Sequence, residues 1–239
     1  KEHNILMKNF LAVIPARKGS QGLKNKNFLK FNNKPLIYWT IKEALKSKHI
    51  DRIVLSSDSE KIKNYCKKFK RLEILERPKN ISKNSTSMHD LMKYILKFQV
   101  KENYKYLIIL QPTSPLRTKE DIDSSCKITV KNNLDSLVSI EELSHRYYPQ
   151  NLYKKKNFLI KNFKTNNLLI NRQNIKNKNK FFARNGAAIY ITKIKFLKNF
   201  ILGGKTGGYL MPKWKNFDIN DYFDFKMAEY IMKNKKLQK

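Results

Sequence analysis

The chain has 239 residues, which is enough for one large α/β domain or for a domain with a small appendage. Its 51 Lys and Arg residues outnumber 19 Asp and Glu residues, and the formal charge of +32 suits polyanionic partners such as nucleic acid, anionic membrane or phosphorylated small molecules. No apolar run approaches the roughly 20 residues that a membrane span needs, and the N-terminus lacks a signal-peptide core. We therefore expect a cytoplasmic protein without membrane association.

The basic residues are spread along the whole chain, and Lys recurs together with Asn in the polar stretches. Composition alone therefore also explains the charge. The spread of the basic residues differs from that of a nucleic-acid binder, which concentrates basic and aromatic residues on one face. We expect no nucleic-acid partner. Cys66 and Cys126 lack metal-site spacing and fall in helical patterns, so they are predicted to be buried free thiols.

Short apolar runs alternate with amphipathic stretches, a pattern typical of a mostly parallel sheet covered by helices. Strands are predicted at 10–14, 52–56, 72–75, 107–110, 136–140, 187–191 and 209–211. Helices are predicted at 36–45, 59–69, 87–98, 119–130, 193–200 and 221–233. We expect a single α/β domain over residues 7–239, preceded by an extension at 1–6. Between 143 and 182 the periodicity fades, which predicts an excursion from the sheet as short hairpins, a lid or a dimer arm.

The loop after the first predicted strand reads PARKGSQGLKNKN at 15–27. Glycines let a backbone approach a phosphate closely, Arg17 and Lys26 can neutralise its charge, and Asn27 can donate hydrogen bonds. The loop lacks the Gly-Lys-Ser/Thr end of a Walker P-loop and does not match the dinucleotide pattern GxGxxG. It is predicted to bind an anion, with an ordinary basic turn as the alternative.

Two further loops carry polar groups where open α/β sheets bind ligands, beyond the carboxyl ends of strands. In QPTSPLR at 111–117, prolines stiffen a segment whose side chains suit a polyhydroxylated ligand, although a turn that caps the next helix is an equal alternative. In RNG at 184–186, Arg184 can pair with a carboxylate through two hydrogen bonds.

The segment FDIND at 217–221 concentrates acidic residues in a chain that has few of them. Asp218 and Asn220 alternate along an extended segment, so both are predicted to point to one side, where they can share a divalent cation. Asp221 suits the N-terminus of the closing helix as a cap. Helix capping alone is the alternative explanation of this acidic segment.

Together these segments resemble the cytidylyltransferases that activate acidic sugars, the CMP-sialic acid synthetases (acylneuraminate cytidylyltransferases), including the bacterial CMP-legionaminic and CMP-pseudaminic acid synthetases. The resemblance is carried by IPARKGSQGLKNKN at 14–27, LQPTSPLR at 110–117, RNGAAIYI at 184–191 and FDIND at 217–221, in the family's order. It implies a three-layer, mostly parallel, Rossmann-like nucleotidyltransferase fold. It also implies a homodimer in which 143–182 forms a dimerisation arm.

The resemblance implies roles for individual residues as well. The nucleotide site would contain Arg17, Gly19, Ser20, Lys26, Asn27, Ser85 and Ser87. The sugar site would contain Gln111, Thr113, Ser114, Arg184, Asn185 and Tyr190. Catalysis would depend on Arg17, Lys26 and Asp218, with Mg²⁺ (Mn²⁺ as the alternative) on Asp218 and Asn220. The family usually has Asp at the position of Asn220, so this metal site lacks one negative charge.

The implied reaction is attack of a sugar's anomeric hydroxyl on the α-phosphorus of CTP with release of pyrophosphate. Arg17, Lys26 and Mg²⁺ would position the reactants and stabilise developing charge. The sugar is expected to be a nine-carbon, sialic-acid-like nonulosonate, with a lean toward legionaminic acid, for surface glycans or flagellin. Two alternatives stay open: an enzyme of this fold acting on Kdo or a hexose phosphate, and a basic nucleic-acid-binding protein.

Overall fold

The computed structural model describes residues 8–19, 22–83, 85–156, 159–162, 180–186 and 188–238. The strands in these ranges are β1 Lys8–Pro15, β2 Lys30–Phe31, β3 Lys34–Pro35, β4 Arg52–Ser57, β5 Leu72–Glu76, β6 Tyr104–Ile109, β7 Ser136–Glu142, β8 Tyr153–Lys156, β9 Leu159–Asn162, β10 Phe182–Arg184, β11 Tyr190–Lys193 and β12 Thr206–Leu210. The α-helices are α1 Leu36–Lys46, α2 Glu60–Cys66, α3 Met88–Tyr94, α4 Lys119–Lys131 and α5 Tyr222–Lys233.

The central sheet follows the order β10-β7-β11-β6-β1-β4-β5, and β12 also pairs with β7. Strands β6, β1, β4 and β5 are mutually parallel, and β12 runs parallel to β7. Strand β11 lies antiparallel between β6 and β7, and β10 lies antiparallel to the far end of β7. The prediction of a mostly parallel α/β sheet is therefore confirmed. Since β4 lies on one side of β1 and β6 on the other, the loops that leave β1 and β6 border a crevice at the sheet's carboxyl edge.

The core lies on both faces of the sheet because successive side chains of a strand point to opposite faces. Phe10, Ala12 and Ile14 of β1 pack with α1, α2 and α4, whereas Leu11 and Val13 pack with α3 on the other face. A third cluster joins α5 to the start of α1 and to Phe31. This cluster brings the chain just before α5 next to the loop after β1.

Most predicted elements are confirmed to within a few residues, and three predictions need correction. The helix predicted at 193–200 is a single 3-10 turn, Ile194–Phe196. Strand β11 continues to Lys193, whose ammonium group lies 3.0 Å from Asp135, and this strand begins at Tyr190 rather than at the predicted residue 187. The helix predicted at 87–98 is α-helical only to Tyr94 and continues as a wider π-type turn.

The described residues include both cysteines and part of the excursion. Cys66 and Cys126 are buried free thiols, as predicted, and burial raises the pKa of Cys66 to about 12. The excursion contains a hairpin of β8 and β9 that forms a sheet of its own. Residues 163–179 of the excursion and the extension at 1–6 lie outside the described ranges. Among the described residues, no helix combines the length and the apolar character required to cross a bilayer.

Candidate functional site

A cleft of about 410 Å³ opens at the carboxyl edge of the sheet, beside the ends of β1 and β6. We call it the first cleft. Its walls come from the loop after β1, from the chain between β5 and α3, and from the loop after β6. Its described lining residues are Pro15, Arg17, Gly22, Lys26, Asn27, Arg77, Lys83, Thr86, Ser87, Met88, Leu91, Gln111, Pro112, Thr113 and Asn220. The loops singled out from the sequence thus meet at the position where this class of fold binds ligands.

The first cleft is strongly cationic. Arg17, Lys26, Arg77 and Lys83 line it, and no Asp or Glu is among its described lining residues. Cationic side chains converging on one concave surface stabilise a multiply charged anion and raise its local concentration. The first cleft therefore suits a polyphosphate better than a neutral or cationic ligand.

Lys26 lines the first cleft and lies on a short 3-10 turn after β1. Its ammonium group donates to the carbonyl oxygen of Ile219, which ties this turn to the acidic segment before α5. Desolvation lowers the pKa of Lys26, and the nearby Arg17 lowers it further, while Asp218 and Asp224 oppose the shift. Because the Lys26 ammonium group is already partly desolvated, it loses less hydration when it binds phosphate oxygens than an exposed lysine would.

Arg77 is a cleft residue that the sequence analysis missed. It follows β5 directly and is only 6% exposed, and its guanidinium donates to the carbonyl oxygen of Ile81 at 3.1 and 2.7 Å. Desolvation lowers the pKa of Arg77, whereas the charge of Asp58 raises it. Its position just beyond the carboxyl end of a parallel strand is the signal that could have identified it. Lys83, in the same connection, was missed as well.

The loop after β1 is held in place from several sides. The backbone N–H of Lys18 donates to the Asp58 carboxylate at 2.6 Å, and that of Ala16 donates to the Ser56 carbonyl at 2.9 Å. The Asn27 side chain donates to the Arg17 carbonyl at 3.4 Å and also lines the cleft. These contacts fix the backbone on both sides of the cationic groups.

The nucleotide residues predicted from the resemblance divide into three groups. Arg17, Lys26, Asn27 and Ser87 line the first cleft, and Ser87 also caps α3 by accepting from the Asp90 N–H at 3.0 Å. Gly19 and Ser85 are described but are not lining residues, and Gly19 has no atom within 4 Å of the place of a Cβ. Ser20 lies outside the described ranges.

The loop after β6 contributes Gln111 and Thr113 to the first cleft, and a buried arginine holds it. Arg117 is 1% exposed and donates to the carbonyl oxygens of Ala188 and Gln111 and to the Thr40 hydroxyl. Desolvation lowers its pKa to about 10, so this guanidinium stays charged at neutral pH. Ser114, predicted to contact the sugar, is also 1% exposed and lines neither cleft of the site. Its side chain is buried in this structure, and its contact with the sugar stays a prediction.

The segment 215–220 contacts each of the other loops in turn. The Ile219 N–H donates to the Thr113 carbonyl at 2.8 Å. The Asp218 side chain lies against Gly186, where a Cβ would come within 2.4 Å of the Asp218 Cβ, and Gly22 lies against the Asn220 carbonyl, 2.0 Å from the place of a Cβ. The two glycines therefore permit close approaches that no other residue allows.

The acidic residues of this segment have different roles. Asp221 caps α5, accepting from the Asp224 N–H at 2.9 Å, and Asp224 accepts in return from the N–H groups of Asn220 and Asp221. The prediction that Asp221 caps the closing helix is confirmed. The Asn220 side chain donates its N–H to the Asp218 carbonyl at 3.1 Å. No group of three or more His, Cys, Asp or Glu suited to a metal ion occurs among the described residues.

A smaller cleft of about 240 Å³ adjoins the first and shares Met88 and Gln111 with it. We call it the second cleft. Its described lining residues are Met88, Ile109, Gln111, Arg184, Tyr190, Ile201 and Leu202. The Tyr190 hydroxyl donates to the Gly186 carbonyl at 2.8 Å, and burial raises its pKa. Of the predicted sugar residues, Gln111, Arg184 and Tyr190 thus lie together here.

Asn185, also predicted to contact the sugar, is buried and hydrogen-bonded within the protein. It is 3% exposed, and its side-chain N–H group donates to the Asn216 side chain at 2.9 Å and to the Met211 sulfur at 3.0 Å. It is not a described lining residue of either cleft. Its amide connects the loop before β11 to the segment 215–220, and its direct contact with the sugar stays a prediction.

Comparison with known proteins gives one family and several relatives. The family model described as cytidylyltransferase matches residues 11–237. An N-acylneuraminate cytidylyltransferase of Escherichia coli O18:K1:H7 is 30% identical over 96% of this chain and 53% of its own length. A post-translational flagellin modification protein B of Campylobacter coli is 31% identical over 97% of this chain and 98% of its own length. A CMP-N,N'-diacetyllegionaminic acid synthase of Campylobacter jejuni is 29% identical over 97% of this chain and 98% of its own length.

The chain therefore spans about half of the Escherichia coli relative (53%) and nearly all of the two Campylobacter relatives. Among solved structures, a CMP:2-keto-3-deoxy-manno-octonic acid synthetase complexed with CTP superposes with a TM-score of 0.67. The superposition covers 94% of this chain and 98% of that one, at 15% identity. At this identity the likeness is one of fold.

Proposed function

The chain belongs to the cytidylyltransferase family, and from that premise we propose that it transfers CMP from CTP to the anomeric hydroxyl of a nine-carbon acidic sugar, with release of pyrophosphate. The observation that carries the proposal is the junction of two unlike clefts. Among the described lining residues, the first cleft has four cationic side chains, and the second has one arginine beside Gln111 and Tyr190. A triphosphate suits the cationic first cleft, and a carboxylated sugar suits the arginine of the second.

In this proposal the first cleft holds CTP. Arg17 and Lys26 bind its phosphates, and Arg77 and Lys83 extend the cationic surface toward α3. Charge accumulates on phosphoryl oxygens as the sugar hydroxyl attacks, so fixed cations stabilise the transition state more than the ground state. Lys26 is held by Ile219 and Arg77 by Ile81, so neither has to reorganise when the charge develops.

The second cleft holds the sugar, with its carboxylate on Arg184. A guanidinium pairs with a carboxylate through two parallel hydrogen bonds, which orients the ligand as well as binding it. Gln111 lines both clefts and is therefore placed at the junction where the two substrates meet. Holding both substrates in one arrangement removes much of the entropic barrier of a two-substrate reaction.

We propose Mg²⁺, with Mn²⁺ as the alternative, on the Asp218 carboxylate and the Asn220 amide oxygen. Mg²⁺ usually keeps several waters and takes one or two protein carboxylates together with substrate phosphates. A site with one carboxylate fits that mode of binding. The N–H donated by Asn220 to the Asp218 carbonyl fixes the amide plane and makes Oδ1 its acceptor end. When bound, the ion neutralises phosphate charge.

A sialic-acid-like nonulosonate is the proposed acceptor, for surface glycan or flagellin modification. The support is the identity of about 30% over most of the chain to relatives named for N-acylneuraminate and N,N'-diacetyllegionaminic acid. The cytoplasm is the proposed compartment, and the two free thiols are consistent with it.

The test is pyrophosphate release by the full chain with CTP and Mg²⁺ and a panel of acceptors. We expect release with nonulosonic acids, and little or none when ATP, GTP or UTP replaces CTP. Release with Kdo or with hexose 1-phosphates, and with none of the nonulosonic acids, would move the chain to another reaction of the same fold.

We also propose a homodimer formed through the excursion. Its described part exposes a set of large apolar side chains, namely Tyr147, Leu152, Tyr153, Phe181 and Phe182. Several exposed large apolar side chains within one segment support an association site there. Light scattering on the eluting protein should give twice the chain mass, and the double variant Tyr153→Glu, Phe182→Glu should elute as a monomer.

A further inference from the structure

The side of α5 that faces away from the core carries aromatic and basic side chains. It consists of Tyr222, Phe223, Lys226, Tyr230 and Lys233, and we call it the outer face of α5. At about 100° per residue these positions fall within a sector of roughly 100° of the helix circumference, opposite the residues that the helix buries. Every residue of α5 within that sector is Tyr, Phe or Lys.

The aromatic side chains of the outer face are strongly exposed. Tyr222, Phe223 and Tyr230 have 61%, 71% and 57% of their surface exposed. A single exposed aromatic residue is ordinary, but several on one side of a helix mark a site that contacts another surface. None of them is a described lining residue of either cleft, so the proposed reaction does not account for their exposure.

The outer face of α5 carries net positive charge. The Glu229 carboxylate borders it and lies 3.7 Å from the Lys226 ammonium and 3.6 Å from that of Lys233. The same carboxylate accepts from the Asn32 backbone N–H at 2.8 Å. Two ammonium groups therefore share one carboxylate, which is already hydrogen-bonded within the protein. Lys236, on the turn after α5, is exposed and adds to the charge.

Packing holds the outer face in shape. The Tyr222 ring stacks on the Phe225 ring, with centroids 6.4 Å apart and planes within 4°. Phe225 in turn packs edge-on against Phe31, with the ring centroids 5.3 Å apart. The Lys226 ammonium lies 5.2 Å from the centre of the Tyr222 ring, so basic and aromatic groups already lie together. A partner that binds here meets a preformed surface.

We propose that the outer face of α5 binds the surface of an anionic lipid bilayer, with the helix lying in the plane of the interface. Aromatic rings are favoured at the level of the headgroups, and lysines beside them attract anionic headgroups. The lack of a spanning segment led us to expect no membrane association, but a helix that lies in the interface needs no such segment. Since one side of one helix forms the contact, the attachment is weak and reversible.

Two other partners fit the outer face less well. In a two-fold contact between copies of the chain, Lys226 and Lys233 would face the lysines of the same surface, which is unfavourable. Single-stranded nucleic acid is bound in cationic grooves, whereas the outward side of a single helix is convex. A bilayer surface is broad, anionic and apolar beneath its headgroups, and it therefore matches both the charge and the aromatic rings.

The test is sedimentation of the full chain with lipid vesicles made of phosphatidylcholine alone or of phosphatidylcholine with phosphatidylglycerol. We expect binding to the anionic vesicles, weakened by added salt because exposed charges are screened. The formal charge of +32 can hold the chain on anionic vesicles without this face. The comparison of variants therefore decides.

The double variant Phe223→Ser, Tyr230→Ser removes aromatic surface and leaves the charge unchanged. Its partition coefficient for anionic vesicles should fall by about tenfold or more. Phe98→Ser is the matched control, because Phe98 is 59% exposed on the turn after α3 and the Lys97 ammonium lies 5.1 Å from its ring. The control should bind as the unchanged protein does. Circular dichroism should show the same helix content in all three proteins, and none of these measurements depends on the proposed function.

The double variant Lys226→Gln, Lys233→Gln tests the charge, and its partition coefficient should fall by about fivefold for each lysine. Absence of binding by the unchanged protein, or equal binding by all variants, would overturn the proposal. Loss of the dimer mass in the aromatic variant would instead assign the outer face to a contact between copies. Loss of binding to a single-stranded oligonucleotide in that variant, with vesicle binding unchanged, would assign it to nucleic acid.

Discussion

Arg17 follows β1 by two residues and lines the first cleft with Lys26, Arg77 and Lys83. Arg17→Ala removes one fixed cation from the phosphate site, so kcat/KM for CTP should fall by about 10²- to 10³-fold, the range found when one donor to a developing oxyanion is deleted. Lys24→Ala is the matched control because Lys24 lies in the same loop, is exposed and is not a described lining residue. Equal activity of the two variants would remove Arg17 from the phosphate site.

Asn220 offers a neutral oxygen where a carboxylate would bind a cation more tightly. Asn220→Asp adds one negative charge next to Asp218, so we expect the Mg²⁺ concentration at half-maximal rate to fall, by about tenfold for each 1.4 kcal/mol gained in binding. The Mg²⁺ dependence of pyrophosphate release measures the change. An unchanged dependence would mean that Asn220 is not a ligand.

At the residue scale, the sequence predicted the cleft better than it predicted the direction of each side chain. Arg17, Lys26 and Gln111 lie where their motifs suggested, because the loops carrying them leave the carboxyl edge of the sheet. Ser114 and Asn185 belong to motifs of the same site but are buried and point into the protein. Sequence position alone does not reveal which members of a polar loop face its ligand and which hold its shape.

At the scale of the elements, the segment 215–220 is joined to the loop after β1 by a close approach at Gly22 as well as by a hydrogen bond from Lys26. A Cβ at Gly22 would lie 2.0 Å from the Asn220 carbonyl oxygen, whereas one at Gly19 would meet no atom within 4 Å. Gly22→Ala should therefore separate the loop after β1 from this segment and lower kcat much more than Gly19→Ala does. A similar loss in Gly19→Ala would show instead that a bound ligand approaches Gly19 closely.

A buried ion pair anchors the same segment to α4. The Lys215 ammonium lies 2.9 and 2.7 Å from the two Asp121 oxygens, and the Tyr209 hydroxyl donates to the same carboxylate at 3.0 Å. Lys215→Met leaves the buried Asp121 carboxylate without its ion-pair partner, so the free energy of unfolding should fall by about 3–5 kcal/mol. Denaturant titration of the variant and of the unchanged protein measures this difference in the free energy of unfolding.

The double variant Lys215→Met, Asp121→Asn removes both charges and separates stability from catalysis. It should recover most of the lost free energy of unfolding. Its kcat should stay low if the ion pair positions the segment that carries Asp218. Recovery of both quantities would show that the pair contributes to folding alone.

Secondary structure was predictable where one physical signal dominates. The apolar run of β1 and the helical spacing in α1 each identify a buried face, and both elements were placed to within two residues. The end of α3 and the start of β11 were misplaced. Helix α3 continues as a wider π-type turn, and β11 enters the sheet between β6 and β7. Tertiary contacts rather than local periodicity set these two boundaries.

For the whole molecule, the charge of +32 suits a polyanionic partner, but composition alone explains it as well, and it does not indicate the partner's size. The structure gathers four cationic side chains into a cleft of about 410 Å³, a size suited to a nucleotide. This concave site favours a phosphorylated small molecule over an extended nucleic acid, which needs a basic face. The mostly parallel topology followed from sequence, while the antiparallel β11 between β6 and β7 did not, because pairing partners are set by the whole sheet.

The central claim is that the two clefts join CTP to an acidic sugar. The most direct measurement incubates the full chain with CTP, Mg²⁺ and N,N'-diacetyllegionaminic or N-acetylneuraminic acid, and quantifies the products by phosphorus NMR and mass spectrometry. We expect a CMP-sugar and pyrophosphate in equal amounts, with formation of neither when the sugar is left out. Pyrophosphate released without a CMP-sugar, or a nucleotide product formed only with a hexose 1-phosphate, would contradict the account.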